Sequence, residues 1–76
     1  MYSNAVRIED LKKKLVEEPD NIQILIDIAV LYEIEFEDYA KAREFYQKAL
    51  EISPNCSLIL KSLEVLNDVQ IHPNFL

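Results

Sequence analysis

The sequence has no glycine, three prolines, one cysteine and one histidine among its 76 residues. Loops that cradle phosphate groups need glycine for close approach of the backbone, so a nucleotide-binding loop is disfavoured. The lone Cys56 leaves no partner for an internal disulfide bond, which is typical of a protein from a reducing compartment. A chain so poor in glycine and proline favours long, regular helices.

Basic residues are also scarce: eight Lys and Arg stand against fourteen Asp and Glu, for a formal net charge of −6. An acidic surface repels phosphate groups, so we expect neither nucleic acid nor membrane as a partner. The longest apolar stretch, residues 22–36, is interrupted by charged residues and is too short to span a bilayer. The N-terminus has no signal-peptide pattern, and we expect a cytoplasmic protein.

No group of residues suggests catalysis or metal binding. The only histidine, His72, lies beside Pro73 near the end of the chain, and no nucleophile or metal ligand is placed near it in the sequence. The paired carboxylates, such as Glu17 and Glu18, are common in any acidic helical protein. We therefore expect no enzymatic activity, no metal and no cofactor.

Prolines and capping residues divide the chain into four predicted helices within one small all-α domain, residues 1–76. The predicted helices cover about residues 4–18, 22–35, 38–53 and 57–70, and a tail follows at 71–76. The second segment is apolar on nearly every side, which predicts burial on more than one face. The first and fourth segments each keep a charged face, as end helices would.

The two proline breaks repeat each other. Pro19 and Pro54 are 35 residues apart, and Leu15 and Leu50 each precede a proline by four residues. Leu25 and Leu60 fall at matching places after them, as do Ile28 and Leu63. A period near 34 residues is typical of proteins that stack helix-turn-helix units.

Residues 22–54 resemble one tetratricopeptide repeat. The second half matches best, with small residues at Ala42 and Ala49, an aromatic at Tyr46 and a closing proline at Pro54. In the first half the family's positions are occupied by Leu25, Ile28-Ala29 and Tyr32. The segment has one extra residue in the turn near 35–37 and lacks both glycines of the family.

The flanks, residues 7–19 and 55–70, look like a preceding second helix and a following first helix. The resemblance implies antiparallel helical hairpins stacked as a short superhelix of about four helices. The related half-a-tetratricopeptide repeats share the style of Ala42-Arg43-Glu44-Phe45-Tyr46, but their additional aromatic and tryptophan positions are missing here.

The resemblance also implies a binding surface on the first helix of each repeat. Carried over by position, it would consist of Gln23, Ile26, Asp27, Val30, Leu58, Lys61, Ser62 and Val65, with Glu33 or Ile34 as further members. This is an apolar, mildly acidic groove suited to an apolar or basic helix or peptide of another protein. The same residues could instead pack against neighbouring helices.

One subtype of the family is disfavoured. Repeats that grip acidic C-terminal tails use Lys and Asn where this chain has Asp27 and Val30, so an acidic tail would be repelled. An alternative to partner binding is a structural role through self-association, for example as a homodimer, because about two repeat equivalents fall short of the three that usually stack stably. The chain could also be part of a longer array, although Met1 and the charged end helices speak against it.

Overall fold

The computed structural model describes the backbone of residues 4–71 and the side chains of residues 5–66. This part of the chain forms four α-helices and no strand: α1 (Asn4–Glu17), α2 (Ile22–Ile34), α3 (Tyr39–Ile52) and α4 (Ser57–Ile71). The predicted all-α class is confirmed, and each helix limit lies within one residue of its prediction. The predicted tail begins with the last residue of α4, and its remainder lies outside the described residues.

Side-chain caps determine where the central helices begin. The carboxamide oxygen of Asn21 accepts hydrogen bonds from the backbone N–H groups of Gln23 at 3.0 Å and Ile24 at 3.3 Å. A carboxylate oxygen of Asp38 accepts one from the N–H of Lys41 at 3.2 Å. These bonds satisfy N–H groups that have no partner within the helix. Asp38, at the start of the predicted range 38–53, is therefore the N-cap of α3.

The turn between α2 and α3 reverses the chain without glycine. Glu37 adopts the left-handed conformation, with φ of 53°. The backbone N–H of Asp38 donates to the carbonyl of Tyr32 at 2.8 Å, and that of Glu35 donates to Leu31 at 2.9 Å. These bonds satisfy carbonyls at the end of α2 and offset the roughly 1–2 kcal/mol that a left-handed, non-glycine residue costs.

The core is centred on α2, as its all-round apolar sequence predicted. Six of its thirteen residues are buried, more than in any other helix of the described part. Helix α2 packs against both α1 and α3, and α4 packs against α3. The buried apolar side chains are Ile8, Ile24, Leu25, Ile26, Ile28, Ala29, Leu31, Ala42, Phe45, Tyr46, Ala49, Ile59, Leu63 and Leu66.

Helices α2 and α3 form an antiparallel hairpin, because only four residues separate them and they pack against each other. The ring of Tyr32, near the end of α2, stacks on that of Phe45 with centroids 5.8 Å apart. One residue further along each helix, the hydroxyl of Tyr46 donates a hydrogen bond to Glu33 at 3.0 Å. The Nζ of Lys12 in α1 lies 5.6 Å from the centre of the Tyr32 ring. Side chains of three helices therefore meet at Tyr32.

The burial pattern of α2 recurs in part along α4. Three buried residues of α2 have buried counterparts 35 residues later in α4. The pairs are Ile24 and Ile59, Ile28 and Leu63, and Leu31 and Leu66. Both helices also contact the helix that precedes them, α2 with α1 and α4 with α3.

Candidate functional site

A surface pocket of about 250 Å³ lies between α1 and α2. Its lining residues are Arg7, Leu11, Asp27, Val30, Leu31, Ile34 and Glu35. We call it the α1–α2 pocket. Its walls combine aliphatic side chains with two carboxylates and one guanidinium group.

The α2 wall of this pocket is one stripe along the helix. Asp27, Val30 and Ile34 are spaced three and four residues apart, so their side chains follow one another along one face. Ile34 is 63% exposed, whereas Val30 is half-buried and packs against the core. Leu31 is buried beneath them. An apolar surface that rises from the core to solvent in this way can accept an apolar side chain of a partner.

The rim of the pocket is charged. The side-chain amide of Gln23, one turn before Asp27, donates a hydrogen bond to the Asp27 carboxylate at 2.9 Å. This bond holds the carboxylate on the helix surface beside Val30. With Asp27 and Glu35 against Arg7, the lining has a formal charge of −1. The pocket is therefore mildly acidic, like the chain as a whole.

The four predicted site residues of α2 do not all lie on one surface. Asp27 and Val30 line the pocket, and Gln23 is exposed beside them. Ile26 does not belong to this surface, because only 9% of its side chain is exposed and it lies in the core. Its position was assigned from the repeat, which gives the direction of a side chain but not the cover that neighbouring helices provide. For Ile26, the burial agrees with the alternative stated above, packing against neighbouring helices.

The predicted site residues of α4 share one face of that helix, within an arc of about 100°. Leu58, Lys61 and Val65 are exposed and Ser62 is half-buried. None of the four lines the α1–α2 pocket. They form a separate strip, and the structure does not join the α2 and α4 halves of the predicted site into one pocket.

The position of Ser62 is explained by Tyr46. The Tyr46 hydroxyl lies between α2 and α4, within hydrogen-bonding reach of Glu33 and Ser62. Burial raises the pKa of Tyr46 to about 12, more than the hydrogen bond with Ser62 lowers it. Glu33 and Ser62 are thus engaged in holding three helices together. This accounts for Glu33, a further candidate for the groove, lying outside the pocket.

Two pocket residues were missed by the sequence reasoning. Arg7 and Leu11 come from α1, which we had interpreted as an end helix. Their spacing of four residues places them on one side of the helix, but only the packing of α1 on α2 shows that this side borders Val30. Ile34, named only as a further member, is the most exposed apolar residue of the pocket.

The part of the chain that the structure describes contains no group of three or more His, Cys, Asp or Glu residues that could hold a metal ion. Over the same residues, no helix combines the length and the apolar character needed to cross a membrane. His72 lies outside the described residues.

No model of a known protein family matches this sequence, and neither a curated protein nor a solved structure is significantly similar to it. Function must therefore be inferred from the residues and their arrangement.

Proposed function

We propose that this chain is a non-catalytic protein-interaction module of tetratricopeptide-repeat type, which binds an apolar or basic helix or peptide of another protein. The observation that carries the proposal is the α1–α2 pocket, where an exposed apolar stripe lies beside carboxylates. The recurrence of the α2 burial pattern in α4 supports the assignment to a repeat family.

The bound segment would place an apolar side chain against Val30 and Ile34. Burying such a side chain stabilises a complex by roughly 1.5–3 kcal/mol before the cost of ordering is subtracted. Basic residues on either side would lie near Asp27 and Glu35. A segment with both features, such as an amphipathic helix with leucine on one face and lysine on the other, fits this surface best.

The test uses a fluorescently labelled peptide of about four helical turns, with leucine on one face and lysine on the other. It is titrated against the wild type, Ile34→Asp, and the matched control Val16→Asp, in which an exposed valine of α1 outside the pocket is changed. We expect Ile34→Asp to weaken binding about tenfold, which is about 1.4 kcal/mol, and the control to leave it unchanged. Because the added carboxylate alone would attract lysine, a loss reports the apolar contact.

A second peptide, with glutamate replacing every lysine, tests the preference for positive charge. We expect it to bind more weakly than the basic peptide, and more so at low salt. Equal affinity of the wild type and Ile34→Asp for the basic peptide would show that the pocket is not the site. Thermal unfolding followed by circular dichroism establishes that both variants are folded.

A second candidate function is a structural one, self-association through apolar helix surfaces. It is favoured by exposed aliphatic side chains outside the pocket, which include Val16, Leu58, Leu60 and Val65. Sedimentation of the isolated chain tests it, because a protein that stays monomeric at high micromolar concentration would exclude it.

A further inference from the structure

The hairpin packing of α2 on α3 has no counterpart at α4. By its place in the repeat, α4 corresponds to α2, and α3 corresponds to α1. Helix α3 covers one face of α2, but among the described residues no helix covers the corresponding face of α4. In the same described part, no helix is packed on α1 in the place that α2 takes beside α3. Within residues 4–71, two helix faces that the repeat covers inside the hairpin are therefore uncovered, one on α4 and one on α1.

The open face of α4 is apolar at one position and acidic at the next turn. Leu25, which is 2% exposed beside α3, has its counterpart 35 residues later in Leu60, which is 47% exposed. Ala29, fully buried, corresponds to Glu64, which is exposed. The face of α4 that points where the next helix of a repeat would lie thus offers a leucine and a carboxylate.

The open face of α1 is complementary in charge. Ala49, fully buried on the face of α3 toward α2, corresponds 35 residues earlier to Lys14, which is exposed. Glu51 corresponds to Val16, which is 82% exposed, the largest value among the exposed large apolar residues of the described part. This face of α1 thus offers a cation and an uncovered apolar side chain.

The hairpin inside the chain shows which of these groups would meet. Leu25 and Glu51 line the same hollow between α2 and the end of α3. Helices α2 and α3 run antiparallel, and Tyr32 contacts Phe45. Ala29 lies one turn before Tyr32 in α2 and Ala49 lies one turn after Phe45 in α3, so the antiparallel direction places Ala29 opposite Ala49. The corresponding residues are found by moving 35 residues forward from α2 to α4 and 35 residues back from α3 to α1. The pair Leu25 and Glu51 then becomes Leu60 and Val16, and the pair Ala29 and Ala49 becomes Glu64 and Lys14.

We propose that a second copy of this chain docks end to end, with its α1 against the open face of α4. Leu60 of one copy contacts Val16 of the other, and Glu64 pairs with Lys14. One copy contributes its α4 face and the other its α1 face, so the contact is heterologous. Further copies can therefore add at either end. This gives the second candidate function a specific interface, and it uses neither Val30 nor Ile34 of the α1–α2 pocket.

The contact is weaker than the hairpin on which it is based. Inside the chain, the alanines Ala29 and Ala49 allow close approach of the helices, whereas Glu64 and Lys14 hold them further apart. An exposed ion pair contributes little by itself and is screened by salt. The association is therefore reversible, increases with protein concentration and is strongest at low ionic strength.

The experiment is a charge exchange measured by sedimentation equilibrium of the full chain at increasing concentrations. The wild type is expected to form dimers and larger species, and Glu64→Lys and Lys14→Glu alone each to weaken association about tenfold. An equimolar mixture of the two variants is expected to associate as the wild type does, because the lysine introduced in one variant then meets the glutamate introduced in the other. Glu44→Lys, an exposed charge reversal on α3, is the control and should leave association unchanged.

Three outcomes would overturn the proposal. A wild type that remains monomeric at high micromolar concentration excludes any self-association. Association that neither variant weakens would mean that copies meet through another surface, so self-association would stand and this interface would fail. Weakening without recovery in the mixture would show that the two charges do not face each other. Unchanged binding of the basic peptide by Glu64→Lys shows that the variant is folded and that the pocket is independent.

Discussion

Helices α2 and α4 have the same apolar spacing 35 residues apart but different surroundings. Helix α2 packs against both α1 and α3, whereas within the described residues α4 packs chiefly against α3. The same leucine position is consequently in the core at Leu25 and on the surface at Leu60. Spacing thus determines which residues can be buried together, and the neighbouring helices determine whether they are.

The largest expected difference is between Leu25→Ala and Leu60→Ala. Removing the buried leucine leaves a cavity between α2 and α3 and should lower the free energy of unfolding by about 2–5 kcal/mol. The same change at Leu60 should lower it by less than about 1 kcal/mol, because the side chain is already in contact with water. Urea unfolding followed by circular dichroism, at low protein concentration, measures both.

Equal losses at the two positions would contradict this comparison. They would mean that the open face of α4 is covered in solution even at low concentration. Repeating the Leu60→Ala measurement at high concentration separates cover by a second copy, which depends on concentration, from cover within one chain.

The next effect concerns the junction of α2, α3 and α4 at Tyr46. Tyr46→Phe removes the hydrogen bond to Glu33 and should lower the free energy of unfolding by about 1 kcal/mol at neutral pH. Because burial raises the pKa of Tyr46 from 10.0 to about 12, the folded state holds the phenolic proton more tightly than the unfolded state. This contribution is complete below pH 10 and is lost as the pH rises toward 12.

The measurement is the free energy of unfolding of the wild type and Tyr46→Phe at several pH values from neutral upward. The wild type should lose more stability than Tyr46→Phe across the alkaline range, which isolates this tyrosine from the other groups that titrate there. Tyr39→Phe, which removes a hydroxyl from the same helix, is the control and should keep the alkaline loss. Parallel curves for the wild type and Tyr46→Phe would show that the hydroxyl is not buried in solution.

Helix limits and the central position of α2 could be predicted from sequence because local chemistry determines them. Pro19, Asn21 and Pro54 mark the helix ends, and an all-round apolar helix can be stable only when it is covered on several sides. The turn at Glu37 was less accessible, because a left-handed glutamate is not what the sequence would favour.

The candidate site could be predicted only in part. Asp27 and Val30, assigned to the groove by the repeat, do line the α1–α2 pocket, because the repeat specifies the direction of side chains along a helix. The burial of Ile26 could not be predicted, because it depends on the neighbouring helices, which periodicity within one helix does not show. Arg7 and Leu11 were missed for the same reason, since the pocket exists only where α1 crosses the exposed stripe of α2.

The smallest expected effects compare the residues immediately before α2 and α4. Asn21 caps α2, and its counterpart 35 residues later is Cys56. The backbone geometry is alike: the carbonyl of Asn21 accepts the N–H of Leu25 at 3.2 Å, and the carbonyl of Cys56 accepts the N–H of Leu60 at 3.1 Å. A thiol is a weak acceptor, so Asn21→Ala should lower the free energy of unfolding by about 1 kcal/mol, and Cys56→Ser should raise it by up to about 1 kcal/mol. A gain of that size raises Tm by about 4–8 °C in a domain of this length. Cys56 also packs against the core, so Cys56→Ala is the reference for the packing lost with the sulfur atom. If Cys56→Ser melts no higher than Cys56→Ala, the cap of α4 does not limit stability.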